Sequence, residues 1–371
     1  MKKNSMLTIA IMLLLLPSLR AYGDITLVDT EKNKLQLFGF FKLDAAFQDG
    51  GVNGLTFPRY AVPGDGNLYL SATHTRFGFK YAGTPLANGT FGVAAVLEFD
   101  FFDTATPNQM KPRFRQGYFT LSKKAHSLLF GQAWDLFSPL GPTTLMINGY
   151  LWQTGNVGFR HAQVRYAYSA PRFDLAVSLS DPATAGGWSA SMPVLQSRLG
   201  LKLGTGGKYQ VGLSGIYGRE NASIAGVDFR NKVDAAGASL DWNLSLCRHL
   251  ALKGELLRGA NLAYVVSRAG LFVDSARQEF AAKKVTAFWS ELLLTRGKWS
   301  GWIGYAFEDL TDEEQLAARE LKKTGTILAG LQLAAGSGVS FGLEYAHFTS
   351  SYVQSEKAKT SQVMFSAQLN L

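Results

Sequence analysis

Runs of period-two alternation cover nearly the whole chain, and the breaks between them alternate short and long. The C-terminal run "SQVMFSAQLNL" is the cleanest. It puts Val363, Phe365, Ala367, Leu369 and Leu371 on one face, and Gln362, Met364, Ser366, Gln368 and Asn370 on the other. One apolar and one polar face at a period of two is the pattern of a half-solvated strand. "YQVGLSGIYG" repeats it with Tyr209, Val211, Leu213 and Tyr217, and "RFDLAVSLS" with Phe173, Leu175, Val177 and Leu179. "AQVRYAY" opposes Val164, Tyr166 and Tyr168 to Gln163 and Arg165, and "FGVAAVLEF" leads to Glu98 and Asp100 on its polar face. In "VSFGLEYAHF" the apolar set is Val339, Phe341, Leu343 and Tyr345, with Glu344 opposite.

Short turn-like breaks occur at 82–89, 122–127, 169–172, 204–208, 247–249, 295–298 and 334–338. Longer connections lie near 49–67, 103–112, 135–157, 181–192, 219–231, 260–282, 309–322 and 350–359. Seven short and eight long breaks make fifteen connections and sixteen strands. Short turns alternating with long loops, and an even strand number, are what an antiparallel transmembrane β-barrel of the outer membrane requires. The fold class expected is therefore all-β, a 16-stranded antiparallel barrel with short periplasmic turns and long external loops. Sixteen strands enclose an aqueous channel, whereas eight are filled by side chains.

The composition agrees. Charged residues make up 18% of the chain, below the roughly 25% of soluble domains, and aromatics 12%, with 39 glycines. A soluble β-sandwich or β-helix would also alternate, but with more charge outside and without the short–long rhythm. Trp242, Trp299 and Trp302 lie in strand-like segments, and Trp299 sits beside a short turn, as an aromatic girdle would place it. The chain opens with Lys2 and Lys3, a short apolar run, and "AYG" at Ala21–Gly23, the pattern of a secretory signal peptide. Residues 1–23 are expected to be removed, leaving 24–371 as a single barrel domain. Removal takes Lys2, Lys3 and Arg20 from the formal charge of +9, leaving +6. A lone cysteine, Cys247, excludes an intramolecular disulfide.

Most short motifs carry no chemistry. "GTGGK" at 204–208 lacks the spacing of a phosphate loop and reads as a hairpin turn. "TDEEQLAARELKKT" (311–324), acids first and bases last, predicts a short helix in an external loop. Five scattered histidines form no catalytic or metal-ligand spacing. No enzyme activity, cofactor, metal or nucleic-acid partner is expected.

The basic residues say more. With the apolar face outward, His74, Arg76 and Lys80 turn inward, as do Arg113 with Arg115, His161 with Arg165, and Arg198 with Lys202. Lys42 and Asp44 line the first strand, and Arg160 stands where strand and loop meet. The bland reading is that lumenal charges keep a barrel wet and pair with Glu98, Asp100 or Glu344. The functional reading is an electropositive constriction, because arginine holds carboxylates bidentately and a narrow channel focuses its field.

"GQAWDLFSPLGPTT" (Gly131–Thr144) begins as a strand and breaks on two prolines. Counting places it in the third long connection. Its apolar content fits a loop packed inside the barrel, burying Trp134, Leu136, Phe137 and Leu140, with Pro139 and Pro142 ending strand pairing. The constriction loop is then 135–160, including Asp135. The alternative is a latch onto a neighbouring subunit.

The segments "RFRQGYFTL", "LLFGQAWDLFSPLGPTTL" and "GYLWQTGNVGFRHAQVRY" resemble the DcaP-like porins, trimeric outer-membrane channels associated with dicarboxylic acids and related anions. The specific pieces are "FGQ-x-W" and "GN-x-G-[FY]-R…Q-x-RY", within Arg113–Tyr168. The resemblance implies that Arg113, Arg115, Arg160 and Arg165 line the pore. It also implies a homotrimer in outer-membrane lipid and lipopolysaccharide, passing small anionic solutes. A coiled-coil extension found in that family is not matched, since "DITLVDTEKNKL" is too short for heptads. A barrel acting as a receptor or adhesin through loops 260–282 and 309–322 is the rival function, and an enzyme in the barrel wall a third.

Overall fold

The structure is a computed structural model and describes residues 24–371 except 88, 103–110, 183–189, 191 and 224–226. The expected signal peptide, 1–23, lies outside the described residues.

Twenty strands are described. They are β1 (Ile25–Asp29), β2 (Lys34–Gln48), β3 (Asn67–Ser71), β4 (Arg76–Leu86), β5 (Phe91–Asp100), β6 (Arg113–Lys123), β7 (His126–Trp134), β8 (Arg160–Ser169), β9 (Phe173–Ser180) and β10 (Val194–Leu203). They continue with β11 (Tyr209–Ala222), β12 (Asn231–Cys247), β13 (Leu250–Ala260), β14 (Leu271–Asp274), β15 (Glu279–Ala282) and β16 (Lys284–Arg296). The last four are β17 (Trp299–Leu310), β18 (Leu321–Gly336), β19 (Val339–Tyr352) and β20 (Ala358–Asn370).

Each barrel strand pairs antiparallel with the next, and β20 closes the ring on β2 with Lys42 opposite Gln368. β3 and β4 pair with the two ends of β2 and form one interrupted barrel strand. β14 and β15 pair only with each other, as a hairpin within the connection from β13 to β16. β1 pairs with the first residues of β2 in line with β20. The described residues thus form a closed sixteen-stranded antiparallel barrel, as the alternation predicts.

Most short and long breaks fall where the sequence places them; the break expected at 82–89 starts only after Leu86, where β4 ends, and most of the 103–112 and 181–192 connections lies outside the described residues. Three expectations change. The segment 311–324 is not a helix beyond the single 3-10 turn Glu313–Gln315, and Leu321–Thr324 already belongs to β18. An isolated short helix is marginal in water, while strand pairing with β19 satisfies these backbone groups. Trp302 is not a girdle residue. It points into the barrel, 5% exposed, and its indole donates to Glu344 at 2.9 Å. Part of "DITLVDTEKNKL" is strand rather than a lead-in.

The two faces of the wall separate sharply. Leu343, Leu213, Phe47 and Ile303 are more than half exposed on the outside, an apolar band that only hydrocarbon or another protein surface satisfies. Gln362, Met364 and Ser366 on β20 are buried on the inside, opposite the exposed Val363 and Phe365. The inside is not uniformly polar. Tyr150, Trp289, Trp302, Leu328 and Phe348 form one buried cluster there, and Phe137, Val157, Leu262, Tyr264 and Val265 belong to a second.

Candidate functional site: a loop-bounded gap in the lumen

The connection between β7 and β8, residues 135–159, accounts for both clusters. At its root Asp135 N–H donates to the Phe159 carbonyl at 2.9 Å. The Asp135 carboxylate accepts from Phe159 N–H at 2.9 Å and Gln196 Nε2 at 2.9 Å, and lies 3.0 Å from His161 Nδ1. Gln196 on β10 accepts the N–H groups of Leu136 and Phe137, each at 3.0 Å. The loop then crosses a row of lumen-facing glutamates. Glu255 on β13 accepts Leu140 N–H at 2.7 Å, and Glu291 on β16 accepts Thr143 N–H at 2.7 Å. Glu344 on β19 accepts Leu145 and Met146 N–H, both at 2.9 Å.

The two prolines suit this path. Pro139 and Pro142 have no N–H to satisfy and fix their own φ; the next residues, Leu140 and Thr143, each present an N–H to a glutamate. A buried N–H left without a partner costs about 1–3 kcal/mol, and one bonded to a charged acceptor contributes about 1.5–3 kcal/mol. Four such bonds to the three glutamates satisfy the backbone of an irregular segment held away from water. The second half of the loop reaches the far wall. Tyr150 is fully buried beside Trp289, and Thr324 donates to the Gln153 carbonyl at 2.8 Å. Gly155 has φ +133°, and a Cβ there would sit 2.3 Å from the Phe288 carbonyl. The loop therefore folds inward, and leans on β10–β19.

The opposite wall, β2 to β8, is left facing it. A cavity of about 510 Å³ separates the loop from this wall, with Phe40, Lys42, Arg76 and Arg115 on the barrel side and Pro139–Pro142 on the loop side. A second cavity of about 330 Å³ shares Phe40 and Arg76 and runs to Asp24 and Leu371 at the short-turn end.

The cations expected from the sequence gather on this wall in graded states of pairing, with Lys42, Arg76 and Arg115 lining the larger cavity. Lys42 is buried, donating to Asp44 at 2.5 Å and to the Leu145 carbonyl at 2.8 Å. Asp44 also contacts His74 Nδ1 at 2.7 Å. Arg113 forks onto Asp100 at 2.9 and 2.7 Å. Arg115 bonds Glu98 and, at 2.6 Å, Asp100. Arg76 has only a 3.7 Å ion pair with Glu98, and its Nε is buried without a hydrogen-bond partner. Arg160 is 4% exposed and lies over the Trp134 and Phe159 rings, 4.7 and 5.0 Å from their centroids. It has no ion pair among the described residues. Arg165 bonds Gln163 at 3.0 Å and the Trp134 carbonyl.

Arg198 is not part of this group. It forks onto Asp241 at 3.2 and 2.7 Å on the wall behind the loop. Of the loop residues, Asp135 and Phe137 are buried, Trp134 and Pro142 half-buried, and Pro139 exposed. Six cations (Lys42, Arg76, Arg113, Arg115, Arg160, Arg165) thus stand with four carboxylates (Asp44, Glu98, Asp100, Asp135) on one side. Glu255, Glu291 and Glu344 are turned to the loop backbone on the other. Glu344, weighed from the sequence as a partner for arginine, holds the loop instead.

Two features were missed from the sequence. One is the glutamate row, whose signal was acids isolated among aromatics, as in "AFWSELLL". The other is the connection after β13, whose turn Leu262–Val265 is buried against the loop. There Gly158 N–H donates to the Val265 carbonyl at 2.9 Å, and the Tyr264 ring stacks on His161 with centroids 4.0 Å apart. Asn261 and Val266 flank this turn with φ of 51° and 64°; a β-branched residue there is strained. Burial of the turn between them and the bonds of Asn261 to Glu220 and of Val266 N–H to the Ala263 carbonyl hold it there. Among the described residues no group of three or more His, Cys, Asp or Glu side chains is placed to hold a metal. What the gap can do is admit a solute past the Arg76 guanidinium, whose Nε has no hydrogen-bond partner.

No protein-family model matches the chain, and no curated protein matches it. Solved structures do. The outer membrane channel DcaP of Acinetobacter baumannii aligns with a TM-score of 0.80 at 17% identity, over 94% of this chain and 100% of that one. The anion-selective porin from Comamonas acidovorans aligns at 0.64 and 14% identity, over 92% and 100%. The Salmonella typhi OmpF complex with daunomycin aligns at 0.61 and 10% identity, over 92% and 99%. At the level of fold, the likeness to DcaP agrees with the resemblance seen in Arg113–Tyr168, and the chain is a sixteen-stranded antiparallel barrel with the fold of these outer-membrane porins.

Proposed function

We propose that the chain is an outer-membrane porin that lets small hydrophilic solutes diffuse passively and favours anions such as carboxylates. The observation that carries this reading is the division of charge across the gap. The loop occupies the glutamates of one wall, and Arg76 and Arg115 of the other line the passage. Cations beside a narrow, low-dielectric passage focus their field into it, whereas the three glutamates stand away from the gap and line none of it. Loop 135–159 sets the width and Arg76, Arg113, Arg115, Arg160 and Arg165 set the sign. The apolar outer band supports a place in the outer membrane, in contact with lipid and lipopolysaccharide. The solved relatives in fold include a trimer form, and a homotrimer is the assembly proposed.

The receptor or adhesin reading is the weaker one, because the first part of the 260–282 connection is buried against loop 135–159 rather than held out to solvent. Purified protein in a planar bilayer is expected to give discrete conductance steps, in threes for a trimer. Absence of conductance from folded protein would overturn the porin reading.

A further inference from the structure

The 510 Å³ gap has two unlike faces. On the loop side it is lined by Pro139, Leu140, Pro142 and Ile147. The same side carries Ser138, Thr144, Asn148 and Asn156, but these side chains bond other groups of the protein, and the N–H groups of Leu140 and Thr143 are spent on Glu255 and Glu291, so the strip Pro139, Leu140, Pro142 and Ile147 is the apolar surface this side offers. On the wall side Lys42 and Arg115 already donate to carboxylates. Arg76 differs. Its side chain makes no hydrogen bond among the described residues and only a 3.7 Å ion pair with Glu98, its Nε is buried and unpartnered, and it borders both cavities. Its guanidinium lies 5.5 Å from the Phe40 centroid, a second apolar surface beside the charge.

We infer that the gap is built for anions with one charged head and an apolar body, in preference to compact anions and to anions charged at both ends. The head group meets Arg76, whose fork matches a carboxylate, and the body lies along Leu140 and Ile147. A second carboxylate, carried at the far end of the same solute, would be desolvated against the apolar strip without a partner. This inference rests on the proposed porin function and names the solute class of that same passage.

The test is block of the single-channel current by acetate, butyrate, hexanoate and adipate in the full-length protein. Burial of a methylene improves binding by up to about fourfold, so hexanoate is expected to block at least about tenfold more strongly than acetate, and more strongly than adipate. Leu140→Asn with Ile147→Asn is expected to bring hexanoate block down to that of acetate. Arg76→Gln is expected to weaken block by every carboxylate. An open channel in which chain length has no effect, or in which adipate blocks best, would overturn the inference and leave the porin reading standing. A folded protein without conductance would overturn both. The wild-type series decides the matter even where a variant fails to fold.

Discussion

The Glu255 carboxylate on β13 accepts the backbone N–H of Leu140 at 2.7 Å, across 115 residues of sequence. One acidic side chain on the wall thereby fixes the tip of the loop that narrows the barrel. The same carboxylate accepts the Trp289 indole at 2.8 Å and the Ser138 hydroxyl. Glu255→Ala strands the Leu140 and Trp289 donors, each at about 1–3 kcal/mol, while the Ser138 hydroxyl keeps Asn156 Oδ1 at 3.0 Å. The barrel wall keeps its strand pairing, so the loop yields first. The expected outcome is a larger and noisier single-channel current with a lower denaturant midpoint. An unchanged current trace would show that Glu255 does not hold the loop.

Gly155 tests the same seat from the other side. Its φ is +133°, and a Cβ added there would lie 2.3 Å from the Phe288 carbonyl, which leaves no room for alanine. Gly155→Ala is expected to unseat the second half of the loop while the barrel still forms. Conductance should rise, and heat-modified gel mobility should stay that of a folded barrel. Conductance equal to wild type would place the loop's grip elsewhere.

Arg115 is enclosed between Glu98 and Asp100, with side-chain exposures of 7%, 8% and 5%. Removing one partner of a buried ion pair costs about 3–5 kcal/mol, because the other charge is left uncompensated. Arg115→Met leaves Asp100 with Arg113 and Glu98 with the 3.7 Å pair to Arg76, so the expected loss is at or below the lower end of that range, measured by unfolding from lipid vesicles. Arg219→Ala, at the exposed pair with Asp234, is expected to leave the unfolding midpoint unchanged, since exposed pairs contribute little. Equal losses at the two sites would contradict the buried network.

The outward face gives a separate test. Leu343, mid-strand on β19, is 58% exposed. Leu343→Arg is expected to cost about 2–4 kcal/mol near the bilayer midplane. Gln368→Arg on the inner face is expected to be tolerated in folding and to shift selectivity further toward anions. A tolerated Leu343→Arg would mean that this face does not meet lipid or a neighbouring subunit.

The strand order was legible because period-two patterning is local. A residue such as Val363 or Gln362 declares its face by its immediate neighbours, and glycine- or proline-bearing breaks mark the ends. The inward loop was legible from its misfit, apolar residues in a connection that cannot pair as strand. The wall on which it leans was not. Glu255, Glu291 and Glu344 read like any lumenal acid until the fold brings the Leu140, Thr143 and Leu145 amides to them. Trp302 read as girdle because an aromatic near a turn looks the same on either face. The helix expected at 311–324 failed because charge order is a weak local preference, and pairing of Leu321–Thr324 with β19 overrides it. Tyr264 gave no local signal at all. Its stacking on His161 depends on two connections meeting inside the barrel.

The central claim is that the basic wall, and not the occupied glutamates, sets the sign of the passage. The most direct measurement is the reversal potential of the purified channel across a tenfold KCl gradient, in wild type and in Arg76→Gln. The account predicts a potential on the chloride side of zero that moves toward zero in the variant. A potential on the potassium side in wild type would contradict it.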